Sequence, residues 1–280
     1  MTESQANNLT LEILISTMNR VSLSFLEDMF LYNKIEDLNI LIINQTEKGR
    51  ELISEFKNIR VINSYDKGLS KSRNLAIKNA TGSICLIADD DVEYVENFQE
   101  IIIDTFCRLK DVSIVEFKID TFTGENYKNY SKKSRKLSKK RYIRGVSSIE
   151  IAFKREDIIK NNIAFNSFFG LGSFFPSGEE YLFLKEVLNK NLRIYFENRV
   201  IVRHSIERST SNVRSDDFIK TQAALYFIDY KIFSYLFLLK LIFFLLRKRR
   251  IFFKDILYKY TVGVKGIDEY KELKGRYANR

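Results

Sequence analysis

Over its first hundred or so residues the chain alternates short, wholly apolar runs with amphipathic ones, the rhythm of repeated strand-helix-strand units. Residues 11–16 read as a buried strand, and 22–31 as a helix that carries Leu23, Leu26 and Phe30 on one face. Strands are expected at 38–44 and 59–63, with a short helix near 51–56 between them. A helix over 69–80 stops before Gly82, and 83–88 is a continuous apolar strand running directly into Asp89, Asp90 and Asp91. A helix at 98–109 and a strand at 112–119 complete the alternation, which predicts an α/β fold with a mostly parallel sheet flanked by helices. In such sheets ligands bind beyond the carboxyl ends of the strands, where the aspartates fall.

After Asp120 the alternation weakens. A strand is expected at 147–153, a loop at 162–177, a helix from just after Gly178 to about residue 188, and short strands at 193–197 and 200–204. From Asp217 the chain turns helical and apolar, a helical C-terminal extension. The expected division is a catalytic domain at 1–215 and a helical, apolar and basic tail at 216–280. Within the first, about 10–120 and 121–215 read as two halves. Residues 232–246 are very apolar apart from Ser234 and Lys240, yet fall short of the ~20 residues a membrane span needs. The run is therefore expected to lie on a membrane surface, the alternative being a helix buried in a helical appendage.

Composition sharpens this picture in four places. The single proline and eleven glycines argue against long disordered linkers. The two cysteines, Cys85 and Cys107, sit in apolar surroundings rather than in metal-ligand spacings, which favours a reduced setting. Residues 1–10 are polar and lack both a basic start and an apolar stretch, which argues against a cleaved secretory signal, so a cytoplasmic location is expected, with the apolar, basic tail placing it at the inner face of the plasma membrane. The net charge of +10 is concentrated in two tracts, 128–144, with nine basic residues and no acidic one, and 247–250. The first reads as a solvated loop, with a lid or an anion contact as the next reading. Its tyrosines, Tyr127, Tyr130 and Tyr142, form no recognisable RNA-binding module, so no nucleic-acid partner is expected.

Three carboxylates at the end of a buried strand repel one another, and a cation is the economical compensation. Mg2+ or Mn2+ suits oxygen ligands and takes substrate phosphates and water into the rest of its shell. Asp89 and Asp91, two residues apart in a turn, are the natural pair. The competing reading is a solvated acidic turn capping the next helix.

The context decides between them. The stretch Asp66-Lys67-Gly68-Leu69-Ser70-Lys71-Ser72-Arg73-Asn74-Leu75-Ala76 and the run from Ala80 through Asp89-Asp90-Asp91-Val92 resemble the core signature of the family 2 glycosyltransferases. Ile13-Leu14-Ile15-Ser16-Thr17-Met18-Asn19-Arg20 is similar to that family's first strand and nucleotide-binding turn. The resemblance covers roughly residues 10–205 and implies the GT-A fold, a Rossmann-like α/β domain. It implies Thr17 and Asn19 near the nucleotide base, Arg73 beside the nucleotide, Asp89 at the ribose with Asp90 on the donor side, and Asp91 on the metal. Where the family commonly has acidic residues at the base, this chain has Asn44 and Gln45, whose amides can still hydrogen-bond a pyrimidine edge.

At Gly178-Glu179-Glu180 the family commonly carries an acidic pair that supplies the base for the acceptor hydroxyl. Glu180 matches the base and Glu179 an orienting role, although acids also favour a helix's first turn through the macrodipole alone. His204, the only histidine, matches a position from which the family reaches metal or diphosphate. The implied reaction is metal-dependent, inverting transfer from a nucleotide diphosphate sugar, of which a UDP-sugar is the expected donor. The implied acceptor is a saccharide or a lipid-linked saccharide, as in surface polysaccharide synthesis. A nucleotidyltransferase on a related sheet, or a non-enzymatic basic protein binding membranes or polyanions, are the alternatives.

Overall fold

A computed structural model describes residues 9–205 and 215–278. The described residues form two compact units. One comprises 9–166 with 179–205, the other 167–178 with 215–278.

The first unit is built on one sheet whose strands run in the order β3-β2-β1-β4-β8-β6-β9-β5, with β7 also on β9. β1 (Leu11–Met18), β2 (Ile40–Gln45), β3 (Ile59–Ser64) and β4 (Ile84–Asp89) pair in parallel. All of β2, and every residue of β1 but Met18, is buried, as expected of strands covered on both faces. Beyond β4 the sheet becomes mixed. β8 (Ile151–Lys154) lies antiparallel between β4 and β6 (Ile114–Asp120), whereas β9 (Ile194–Arg203) runs parallel to β6. β5 (Glu93–Tyr94) and β7 (Arg135–Lys136) add short antiparallel edges.

α1 (Phe25–Met29), α2 (Leu69–Asn79) and α3 (Phe98–Arg108) follow β1, β3 and β5 in the chain. α3 buries Phe98, Ile102 and Phe106 at four-residue spacing, so one stripe faces the core. α4 (Lys140–Ile143), α5 (Arg155–Lys160) and α6 (Glu179–Asn189) complete this unit.

Several expectations are corrected. Residues 51–56 are not helical: the Asn63 amide donates to the Leu52 carbonyl and accepts from the Leu52 N–H, both at 2.9 Å, so a side chain holds this segment in a loop. The strand expected at 147–153 begins as a 3-10 turn at Ser148–Glu150, and the two short strands after 193 are one, β9, irregular in register where it meets β6. The tract 128–144 is not simply a solvated loop. Lys128 pairs with the wholly buried Glu150 at 2.6 Å, Tyr130 stacks on Phe196, and Leu137 and Ile143 are buried.

The second unit packs α7 (Asp216–Tyr230), α8 (Ser234–Arg247) and α9 (Ile256–Ala278) around Ile219, Ala223, Leu238, Ile242 and Ile267. α7 approaches α9 closely at Gly266, where a Cβ would meet Lys220 backbone atoms at 2.7 Å. Residues 167–178 join these helices through aromatic contacts. Phe169 and Phe175 stack at 4.8 Å, and Tyr270 of α9 lies about 6 Å from both. No described helix is long and apolar enough to cross a membrane.

Candidate active site

The parallel register lines up the carboxyl ends of three neighbouring strands. Ser16 of β1 stands beside Asp89 of β4, and Thr17 beside Asn44 of β2. Asn19 then turns the chain with φ of 56°, a left-handed conformation that asparagine tolerates, and donates its N–H to the Gln45 carbonyl at 2.8 Å. Asn44 is wholly buried. Its amide accepts from Arg20 N at 3.1 Å and donates to Arg20 O and to Asn63 Oδ1 at 3.0 Å. Expected at the donor's base, Asn44 thus braces the turn that carries Asn19 and Arg20. Beside that turn is a cleft lined by Met18, Asn19, Gln45, Thr46, Asp66 and Lys67, bounded by the ends of β1, β2 and β3.

The three aspartates fan onto three separate sets of partners. Asp89 accepts from Arg73 Nη2 at 3.1 Å and from Ser148 Oγ at 3.3 Å. Asp90 Oδ2 accepts from Thr17 Oγ1 at 2.5 Å and from Arg20 Nε at 2.7 Å. Asp91, exposed, meets His204 Nε2 at 3.4 Å. That contact holds the His204 imidazole above its ordinary pKa and draws the Asp91 carboxyl below the usual carboxylate range.

Arg73 is the centre of the site. Only 3% of its side chain is exposed, and its guanidinium lies 5.5 Å from the Phe165 ring. Nη1 is 3.3 Å from both Glu179 Oε1 and Glu180 Oε1, while Nη2 also donates to Ser148 Oγ at 2.7 Å. One side chain on α2 therefore links the acidic end of β4 to the acidic pair that opens α6, whose Glu179 lies 106 residues from Arg73 in the chain. Burial opposes the charge on Arg73, but Asp89, Glu180 and Glu179 outweigh it and keep the guanidinium protonated. Burial, and next the Glu180 carboxylate, push Glu179 well above the usual carboxylate range in spite of Arg73. Glu179 Oε2 and Arg73 Nε are buried without a hydrogen-bond partner among the described residues. Glu180 is the more open acid, its side chain 19% exposed against 5% for Glu179.

Most of the expected residues thus gather at the strand ends, while Arg73, expected beside the nucleotide, is turned inward onto carboxylates. Arg20, Ser148 and Phe165 were not singled out by sequence. Arg20 lies inside the opening motif, but Ser148 and Phe165 sit where periodicity is weak and carry no sequence signal. As for a metal, no three His, Cys, Asp or Glu side chains converge into a cage among the described residues. Asp91 and His204 nevertheless fit a Mg2+ or Mn2+ ion that draws its remaining ligands from phosphates and water, since such ions are usually held by one or two protein groups.

Comparison with known proteins identifies the family and the fold. The family model described as glycosyl transferase family 2 matches residues 13–176, more than half of the chain. Among solved structures, S. aureus TarS 1-349 superposes with a TM-score of 0.59 at 13% identity, over 96% of this chain and 92% of that one. The same protein in complex with UDP-GlcNAc gives a TM-score of 0.58 at 13% identity with equal coverage, and in complex with UDP 0.54 at 12%, again over 96% and 92%. At these identities the likeness shows the fold, the α/β architecture of the GT-A class. No curated protein matches the sequence.

Proposed function

We propose, from the premise that the chain belongs to glycosyl transferase family 2, that it moves a sugar from a nucleoside diphosphate carrier, with UDP as the nucleotide, to a saccharide or lipid-linked hydroxyl at a membrane face. Membership of that family sets aside the nucleotidyltransferase and non-enzymatic readings. The observation that carries the proposal is Arg73 in contact with Asp89, Glu179 and Glu180, which brings a donor-side carboxylate and a candidate base to one guanidinium. The UDP-GlcNAc and UDP complexes of S. aureus TarS support uridine as the base.

In this reading the cleft beside Asn19 and Gln45 receives the base, and Asp89 hydrogen-bonds the ribose. Thr17 and Arg20 hold Asp90, which fixes the turn so that Asp91 projects outward. Asp91 and His204 would hold Mg2+ or Mn2+, which when bound supplies positive charge to the departing diphosphate. Glu180 takes the proton from the acceptor hydroxyl as its oxygen attacks the anomeric carbon opposite the leaving group, inverting that centre. Glu179, buried with one unpartnered oxygen, orients the acceptor or the Glu180 carboxylate through their shared Arg73. An oriented base contributes on the order of 10²–10⁴ in rate.

The test is a panel of nucleotide sugars with Mn2+ or Mg2+, scored for release of nucleoside diphosphate. Asp91→Ala and Glu180→Gln should each lower transfer by at least ~100-fold with the fold intact by circular dichroism. Near-normal turnover in either variant removes that residue from the mechanism, and release of pyrophosphate instead of nucleoside diphosphate overturns sugar transfer.

A further inference from the structure

The outward face of α8 and the turn after it have a chemistry that sugar transfer does not require. α8 buries Ser234, Leu238, Ile242 and Leu245 within its own unit at helical spacing. The opposite stripe is also apolar: Leu236, Leu239, Phe243 and Phe244 are exposed there, with Lys240 and Arg247 among them. A helix apolar on both faces is expected inside a core or against lipid. The stripe continues past the basic run, where Phe252, Phe253 and Leu257 are 72%, 79% and 77% exposed. Isolated exposed apolar residues are ordinary, but a concentration of large ones marks an interaction surface.

Charge identifies the partner. Residues 231–260 hold eight Lys and Arg against a single acid, Asp255. A second copy of the chain would bring the same positive field to the contact, whereas an anionic bilayer offers hydrocarbon to the phenylalanines and phosphate to the cations. The fourteen residues of α8 span about 21 Å, short of a ~30 Å hydrocarbon core, so the helix can lie along the interface but not cross it.

We propose that this face docks on an anionic membrane leaflet, inserting Phe243, Phe252 and Phe253 shallowly while Arg247, Lys248 and Arg250 meet lipid phosphates. That docking brings the enzyme to a lipid-held acceptor rests on the function proposed above; the docking itself does not.

The experiment is sedimentation of the full chain with vesicles of mixed phosphatidylglycerol and phosphatidylcholine, and with phosphatidylcholine alone. Binding should be at least ~10-fold stronger to the mixed vesicles and weaken with salt. The double variant Phe252→Glu with Phe253→Glu should lose binding by ~10-fold or more, and Arg247→Gln, Lys248→Gln and Arg250→Gln roughly fivefold per residue. Release of nucleoside diphosphate without vesicles should be unchanged in both sets, which shows that they fold. Equal binding to neutral and anionic vesicles, no loss in either set, or a wild-type dimer that the phenylalanine variant dissociates each overturns docking. Membrane binding without any sugar-nucleotide turnover would instead overturn the transfer reading and leave docking standing.

Discussion

A buried guanidinium facing three carboxylates is held in place by all of them, and its loss is felt by all of them. Removing one partner of a buried ion pair costs about 3–5 kcal/mol, because the remaining charge stays desolvated. Arg73→Ala is therefore expected to lower unfolding free energy by roughly that amount in denaturant melts, and to reduce transfer even at temperatures where it is folded. Arg73→Lys tests geometry separately. A lysine keeps the charge but lacks the planar fork that reaches Asp89 with one nitrogen and the two glutamates with the other. Its kcat should fall by at least ~10-fold while KM for the donor changes little. A proportional rise in KM would instead place Arg73 at the nucleotide, as the family resemblance implies.

At the scale of elements, the join between β1 and β4 depends on Glu12. Its carboxylate accepts from Thr81 N at 2.5 Å and Gly82 N at 2.8 Å, and from Arg60 Nη2 at 2.6 Å, so it ties β1 and β3 to the turn before β4. Burial alone would raise its pKa, but Arg60 and the two amides together hold it below the usual carboxylate range. Such a group stabilises the fold fully above its unfolded pKa of about 4.3, and the contribution disappears as pH falls through the lowered folded value. Glu12→Gln should cost about 1.5–3 kcal/mol at pH 7, with the difference from wild type shrinking below about pH 4. Gly82→Ala attacks the same join, since a Cβ there would sit 2.6 Å from Glu12 Cβ and 3.0 Å from its backbone nitrogen. It is expected to lower Tm by about 2–4 °C for each ~1 kcal/mol of strain, as scanning calorimetry would record. The strands and helices around this join were legible from apolar spacing. The helix expected at 51–56 was not, because what replaces it is a side-chain bond from Asn63 that no periodicity encodes.

For the whole molecule, linkage supplies the broadest check. A donor with Mn2+ at ~100 times its Kd should stabilise the folded protein by about 2.7 kcal/mol, and EDTA should cancel most of that gain in thermal melts. Stabilisation that survives EDTA would move the donor away from Asp91 and His204. The charge of +10 also divides at this scale into two kinds. Lys128 in the first tract is consumed by Glu150 and Glu116, whereas the run from Arg247 to Arg250 stands exposed beside exposed phenylalanines.

The alternation of buried strands with amphipathic helices, the placing of Asp89, Asp90 and Asp91 at a strand end, and the family resemblance were all determined by local spacing and motif. That is possible because main-chain periodicity and strand-end position are properties of neighbouring residues. Only the tertiary structure decided that Arg73 turns inward, that Asn44 braces the Asn19 turn, that Ser148 and Phe165 enclose the same guanidinium, and that residues 167–178 pack with α9. Those outcomes depend on contacts between residues far apart in the chain, where burial leaves each polar group dependent on whichever partner the fold brings within reach.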